Sequence, residues 1–193
     1  EQAEEEINLM SGISETVEED ESIWLSAKAR LPWLLIGMTG GLLGAKFAGL
    51  FEWQIRLVPA MAFFIPLITA TGGNVGIQSS TVMVQSLGSK TINSLSFLQK
   101  LGKTLLIALV NATVICLAVL SLTFLLGDPI PLALTVSVAI FSVVILASVM
   151  GTVTPFLLDK AGVNPALASG PFITTANDLL GLAVYFGVAW WML

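Results

Sequence analysis

From residue 31 to the C-terminus, long apolar runs alternate with short joints that carry most of the charges. The runs span about Leu31–Phe51, about Leu57–Leu87, a third that follows the joint Gly88–Lys103 and reaches about Leu126, a fourth ending near Leu158, and a fifth from Pro165 to Leu193. At about 1.5 Å of helix per residue, each is long enough for a hydrocarbon layer of roughly 30 Å. The pattern predicts an all-α polytopic membrane protein with five transmembrane helices.

Inside these runs the polar and small positions are not scattered. In the first, Gly37, Gly41, Ala45 and Gly49 recur every four residues, as do Gly40, Gly44 and Ala48, so two faces permit close helix approach. The second changes character halfway, from LVPAMAFFIPLI to TATGGNVGIQSSTVMVQ. There Thr71, Asn74, Gln78, Thr81 and Gln85 form one polar stripe, with Gly72, Gly76 and Ser80 as a small-residue ridge beside it. Such a helix either lines an aqueous path, loosened near Pro66 and Gly72-Gly73, or hydrogen-bonds its neighbours. Asn111 is the main interior polar group of the third run, and Gly151, Thr152, Thr154 and Pro155 suggest a kink or close packing in the fourth. An echo links the second and fifth runs: Pro66–Gly76 aligns with Pro171–Gly181, matching at Pro, Ile, Thr and Gly and setting Gly73 opposite Asp178. With the two helices running in opposite directions, that echo reads as an inverted repeat of the transporter kind.

Composition agrees: with 55% hydrophobic and only 11% charged residues, the chain belongs with polytopic membrane proteins. Having no histidine, it has no histidine metal ligand and no Ser-His-Asp triad, and its single cysteine, Cys116, reads as a small buried hydrophobe. The net charge of −5 is unevenly placed, since residues 1–21 hold nine acids and no base. In that segment Ile7, Met10, Ile13 and Val17 stand at near-helical spacing, with a break expected near Gly12. Residues 1–30 are therefore expected to be an acidic tail outside the bilayer and residues 31–193 a five-span membrane domain. The tail reads as a solvated acidic face or as a weak divalent-cation site. Counting Lys28, Arg30, Lys90, Lys100, Lys103 and Lys160 against Lys46 and Arg56 puts the N-terminus in the cytoplasm and the C-terminus outside.

The candidate chemistry centres on Asp178, the one charge between Pro165 and Leu193. An acid buried in a membrane costs about 2.5–3.5 kcal/mol on insertion scales, so it faces a water path, a cation or a partner. Thr174, Asp178, Gly181 and Tyr185 share one helix face, with Gly170 a turn earlier. One carboxylate cannot strip the water from Mg²⁺, but two brought together by a symmetric dimer would hold a hydrated divalent ion between them. Hydroxyls and carbonyls near Thr174, Gly170 and Gly73, with Asn74 on the polar stripe, would bond the water shell. The other readings of Asp178 are a proton carrier and a simply hydrogen-bonded acid.

The stretches LPWLL (31–35), TGGNVGIQSST (71–81) and GVNPALASGPFITTANDLLGLAVYF (162–186) resemble the MgtE family of magnesium channels, and the resemblance covers nearly the whole chain. It implies a homodimer whose second and fifth helices line a central Mg²⁺ pore, with Asp178 matching the pore carboxylate and Gly73 and Thr174 near the hydrated ion. Two positions depart from the family pattern: Gly170 stands where members often carry Asn, and Thr174 where a small apolar residue is common. Members usually carry a cytosolic helical domain and paired CBS modules ahead of a connecting helix. This chain resembles only the end of that helix, which implies a truncated or minimal member. Glu5 and Glu6 then fall near the family's acidic pair for cytosolic cation sensing, as candidate ligands.

The expected function is thus a homodimeric channel domain for Mg²⁺, both cargo and bound ion, in the cell membrane, with lipid and cytosolic regulatory domains as partners and no nucleic acid. A proton- or sodium-coupled carrier using Asp178 as its coupling acid is the alternative. An enzyme is not expected, because an intramembrane aspartyl protease needs two acids and lipid phosphotransferases need carboxylate clusters.

Overall fold

A computed structural model describes residues 8–13, 22–88, 94–168 and 170–193. Glu5, Glu6, the acidic run 18–21 and Lys90 lie outside the described residues. Regular structure among those described is helical: α1 (Ile23–Gly49), α2 (Glu52–Leu57), α3 (Met61–Gly88), α4 (Ser94–Leu125), α5 (Ile130–Lys160), a 3-10 turn (Pro165–Ala168) and α6 (Pro171–Met192). By length and composition α1, α4, α5 and α6 suit a membrane crossing. At 28 uncharged residues α3 is also long enough, but its polar half keeps it out of that group.

Element boundaries differ from expectation where local chemistry intervenes. α1 begins at Ile23, because the Ser22 hydroxyl accepts from the Leu25 N–H at 3.4 Å and caps it. The helix therefore runs unbroken through residues 30 and 31. The second run divides at Val58, where Pro59 disfavours helical backbone in the residue before it. α4 starts at Ser94, so Lys100 and Lys103 belong to the helix rather than to the joint before it. The fifth run opens as a turn, in which the Ala166 N–H donates to Asn164 Oδ1 at 2.9 Å, and α6 proper begins only after Gly170, at φ 65°. Asp178 consequently lies about 10 Å from the start of α6 rather than at its centre. The expected break near Gly12 is present: a helical turn at 8–10 closes there, with Gly12 at φ 77°.

The core is built on α5, whose Val136, Ile140, Val143 and Val144 are buried between α3, α4 and α6. Close backbone approach makes this possible. A Cβ on Gly151 of α5 would collide with the Gly76 carbonyl of α3 and would lie 3.1 Å from the Ser80 N, so the small-residue ridge of α3 meets α5 backbone to backbone. On α3's neighbouring flank, Gly72 is crossed by Val143 and by the backbone of Asn177, and Gly76 by the Asn177 amide. α1 leans on α6 through only one of its two small faces. Gly40 lies against Thr175 and Gly44 faces Leu182, whereas among the described residues nothing approaches Gly37, Gly41 or Gly49 within 4 Å.

α3 and α6 run antiparallel, and the sequence echo has a counterpart in their packing. Ile68 lies over Gly181, at 3.4 Å from where a Cβ would stand, and the equivalent Ile173 lies over Gly76 at 3.6 Å. Two cross-links tie the far end: the Tyr185 hydroxyl donates to the Met61 carbonyl at 3.0 Å, and Gln54 Nε2 donates to the Phe186 carbonyl at 3.4 Å.

Two stability predictions follow from this packing, both measured as thermal unfolding of the purified protein in detergent. Gly151→Leu should destabilise by about 1–3 kcal/mol or more, the cost of overpacking a filled contact, while Gly41→Leu on the open face should not. Tyr185→Phe should cost about 0.5–1.5 kcal/mol, the net worth of its hydrogen bond. An unfolding curve unchanged in Gly151→Leu would mean that α3 and α5 are not held by backbone contact.

Candidate functional site

Pro66 has no N–H, so within α3 the Ala62 carbonyl loses its intrahelical donor, and nearly two turns later the chain reaches Gly72-Gly73. This weakened stretch faces the first turns of α6. Between them lies a cavity of about 360 Å³ lined by Pro66, Thr69, Ala70, Gly73, Asn74, Ile77, Thr174 and Asp178. The hollow of about 480 Å³ between α1 and α6 is larger, but its lining is apolar except for the hydroxyls of Thr39 and Thr175.

Gly73 brings the two helices together at this point. A Cβ there would crowd Thr174 Cγ2 at 3.1 Å and stand in ordinary contact, at 3.7 Å, with Oδ1 of the half-buried Asp178, so the missing side chain gives Thr174 room to lie close to α3 with the carboxylate beside it. The Thr174 hydroxyl donates to the Gly170 carbonyl at 3.0 Å, and the Thr69 hydroxyl to the Ile65 carbonyl at 3.2 Å. With their protons spent on the helix, both oxygens present only lone pairs to the cavity. Among the described residues none donates a hydrogen bond or a positive charge to Asp178. The site is therefore one carboxylate among uncharged polar groups, two hydroxyl oxygens that accept and the Asn74 amide, whose Oδ1 also accepts. Water bound to a cation points its hydrogens outward, so these groups match the outside of a hydrated ion better than a bare one.

Four of the five predicted membrane positions, Gly73, Asn74, Thr174 and Asp178, line this one cavity. Gly170 does not. It caps α6 beneath the Met10 carbonyl, and its own carbonyl accepts from both the Thr174 N–H at 3.1 Å and the Thr174 hydroxyl. Its lone pairs are thus taken. A side chain at this position would meet both the positive φ and the 8–13 turn. Along α3, Asn74, Gln78 and Gln85 are exposed and Thr71 and Thr81 half-buried, so the polar stripe runs down the outer surface of the chain while Gly72, Gly76 and Ser80 are buried behind it.

Two residues escaped the sequence reading. Thr69 faces Thr174 across the cavity, and the echo that aligns these two threonines was the available signal. Asn177 is buried against Gly76, with neither amide atom hydrogen-bonded. No spacing argument marks it, because the face it occupies is set by how α6 meets α3 and α5.

Comparison with known proteins places this geometry in a family. The model of the MgtE family, described as divalent cation transporter, matches residues 65–188, which include every residue lining the cavity. The chain is 29% identical over 188 residues to the magnesium transporter MgtE of Bacillus subtilis, covering 97% of this chain and 42% of that protein. It is 34% identical to the magnesium transporter MgtE of Enterococcus faecalis, over 85% of this chain and 36% of that one. With the magnesium transporter MgtE of Thermus thermophilus it shares 34% identity, over 87% of this chain and 36% of that protein. The chain thus spans about two fifths of the length of these relatives. A family match over most of the chain, reaching from α3 to α6 and enclosing the acidic cavity, shows that the chain belongs to the MgtE family of divalent cation transporters.

Proposed function

We propose that residues 31–193 form the pore domain of a magnesium transporter, in which hydrated Mg²⁺ passes along the polar face of α3 and the Asp178 carboxylate of α6 in a homodimer. Residues 1–30 then belong to the end of a cytosolic connecting segment. The observation that carries this reading is the Asp178 cavity, a single carboxylate set among uncharged polar groups on the outer side of the α3–α6 pair. The names of the relatives, magnesium transporters, agree with it.

A second copy is part of the reading for two physical reasons. One carboxylate leaves a divalent ion half-neutralised, whereas two facing acids that repel each other are relieved by an ion between them. The exposed amides of Asn74 and Gln85 also have no place against lipid, where unpaired amides are costly, and so belong on a water-filled path between protomers. On this reading α3 is the fifth span, its low hydropathy being the consequence of lining a pore. Five spans and the bias of Lys and Arg set the N-terminus in the cytoplasm and the C-terminus outside the cell membrane. Trp24 near the start of α1 and Trp190 and Trp191 at the end of α6 are exposed, as suits side chains at the two membrane interfaces.

The deciding experiment is Mg²⁺ influx into liposomes that contain the purified chain. Wild type should conduct under a Mg²⁺ gradient alone, and Asp178→Asn should lower the flux about tenfold or more, the worth of charge-assisted hydrogen bonds to the carboxylate. Flux that requires a proton or sodium gradient would replace the channel with a carrier coupled through Asp178. An Asp178→Asn protein that conducts like wild type would remove the carboxylate from the mechanism. Thr174→Val keeps the shape but deletes the lone pairs, and should weaken the preference for Mg²⁺ over Ca²⁺ while the protein still dimerises on a sizing column.

A further inference from the structure

α3 and α4 both lean on α5 rather than on each other, and the space between them opens as two adjoining hollows of about 270 and 200 Å³ that share Ser79, Val82, Thr104 and Ile107. The first hollow, at the end of the bundle where α3 finishes and α4 begins, is lined by Lys100 and Lys103, one turn apart on the same helix face. Ser79, Ser86, Thr104 and Thr152 add hydroxyls around them. Among the described residues no carboxylate lines either hollow. Among those same residues neither lysine has an ion-pair partner, and the Ser79 and Thr104 hydroxyls are not engaged in hydrogen bonds. Two positive charges thus stand together in a polar recess of a chain whose net charge is −5. Continuing down α4 from that recess, Ile107, Val110 and Val114 are exposed, as is Val82 on α3, with the amides of Gln78 and Asn111 and the Ser148 side chain lining the second hollow among them.

We propose that this groove is a binding site for an anionic phospholipid. The head-group phosphate takes the two lysines and the free hydroxyls, and the acyl chains lie along Val82, Ile107, Val110 and Val114. The recess has the donors of a phosphate site and none of its competitors, since a lysine ammonium supplies three N–H groups and a serine or threonine hydroxyl one more. Basic pockets between helices on the cytoplasmic side are where anionic head groups are held. A soluble phosphate would use the recess but not the apolar strip below it, and a second protein copy would have to bring acids to a place where this chain has none among the described residues. The groove lies on the α4 side of α3, apart from the Asp178 cavity on the α6 side. The site rests on the membrane-spanning reading with its cytoplasmic N-terminus, and its test measures no ion flux, so it stands or falls separately from conduction.

The test is lipid retention by the purified chain, read by native mass spectrometry after exchange in detergent against an equimolar mixture of phosphatidylglycerol and phosphatidylcholine. Wild type should keep phosphatidylglycerol in preference. Each of Lys100→Gln and Lys103→Gln should lower that retention about fivefold and the double variant about thirtyfold, at roughly 1 kcal/mol per basic side chain near the surface. The double arginine variant should retain phosphatidylglycerol, and Lys46→Gln, on the far side of the bundle, should leave retention unchanged. Thermal unfolding of the double glutamine variant at the wild-type midpoint shows that the loss is local. Equal retention of phosphatidylglycerol by that variant, or of phosphatidylcholine by wild type, would overturn the proposal. Displacement of the lipid by an equal concentration of inorganic phosphate would assign the recess to a soluble anion. A change of oligomeric state in the double variant with retention unaltered would make the groove a protein interface.

Discussion

The arrangement depends on one steric constraint, the contact of Gly151 in α5 with the backbone of α3 at Gly76 to Ser80. In a membrane the gain from excluding water is absent between helices, so association rests on van der Waals contact and hydrogen bonds, both of which demand close approach. Small residues at 72, 76, 80 and 151 permit it. Because α3 lies so close to α5, α6 can pack across both, with Ile68 over Gly181 and Ile173 over Gly76. Every feature of the acidic cavity inherits its position from that crossing.

The cavity joins two kinds of irregularity. Pro66 removes one backbone donor from α3, which stays helical from Met61 to Gly88, and the absence of a side chain at Gly73 gives Thr174 room to lie close with Asp178 beside it. The threonines on either side turn their protons back onto their own helices, so beside its one negative charge the pocket holds hydroxyl acceptors and the Asn74 amide, with no competing cation among the described residues. A helix short of a backbone hydrogen bond is costly in lipid, and here its proline borders a cavity rather than hydrocarbon.

The chain also divides its surface by chemistry. The polar stripe of α3 looks outward beside the cavity, the small-residue face Gly37–Gly41–Gly49 of α1 is open, and the lysine recess lies between α3 and α4. On the proposed reading these are separate contacts, one with the ion path and a second copy, and one with lipid. Their separation follows from α5 sitting at the centre, so that α3 meets α6 on one flank and stands off from α4 on the other.

Much of this was legible along the chain. Helical class, the apolar runs, the polar stripe and the ridge beside it follow from a period of 3.6 residues acting on side-chain polarity, a local property that any single helix expresses. Asp178, Gly73, Asn74 and Thr174 could be named for the same reason, since a charged, polar or very small side chain in an apolar run is costly or loosening unless a contact at that position uses it. What tertiary structure decided were the quantities set by a neighbour: that Gly170 turns its carbonyl onto Thr174 and leaves the cavity, that Thr69 joins it, that Asn177 is buried, and that only one of α1's two small faces is used. It also decided that Lys100 and Lys103 share a recess with hydroxyls from α3 and α5, residues far apart in the chain. Sequence determines which face of a helix is polar or small. Which other helix meets that face depends on crossing geometry, and no periodicity within one helix encodes it.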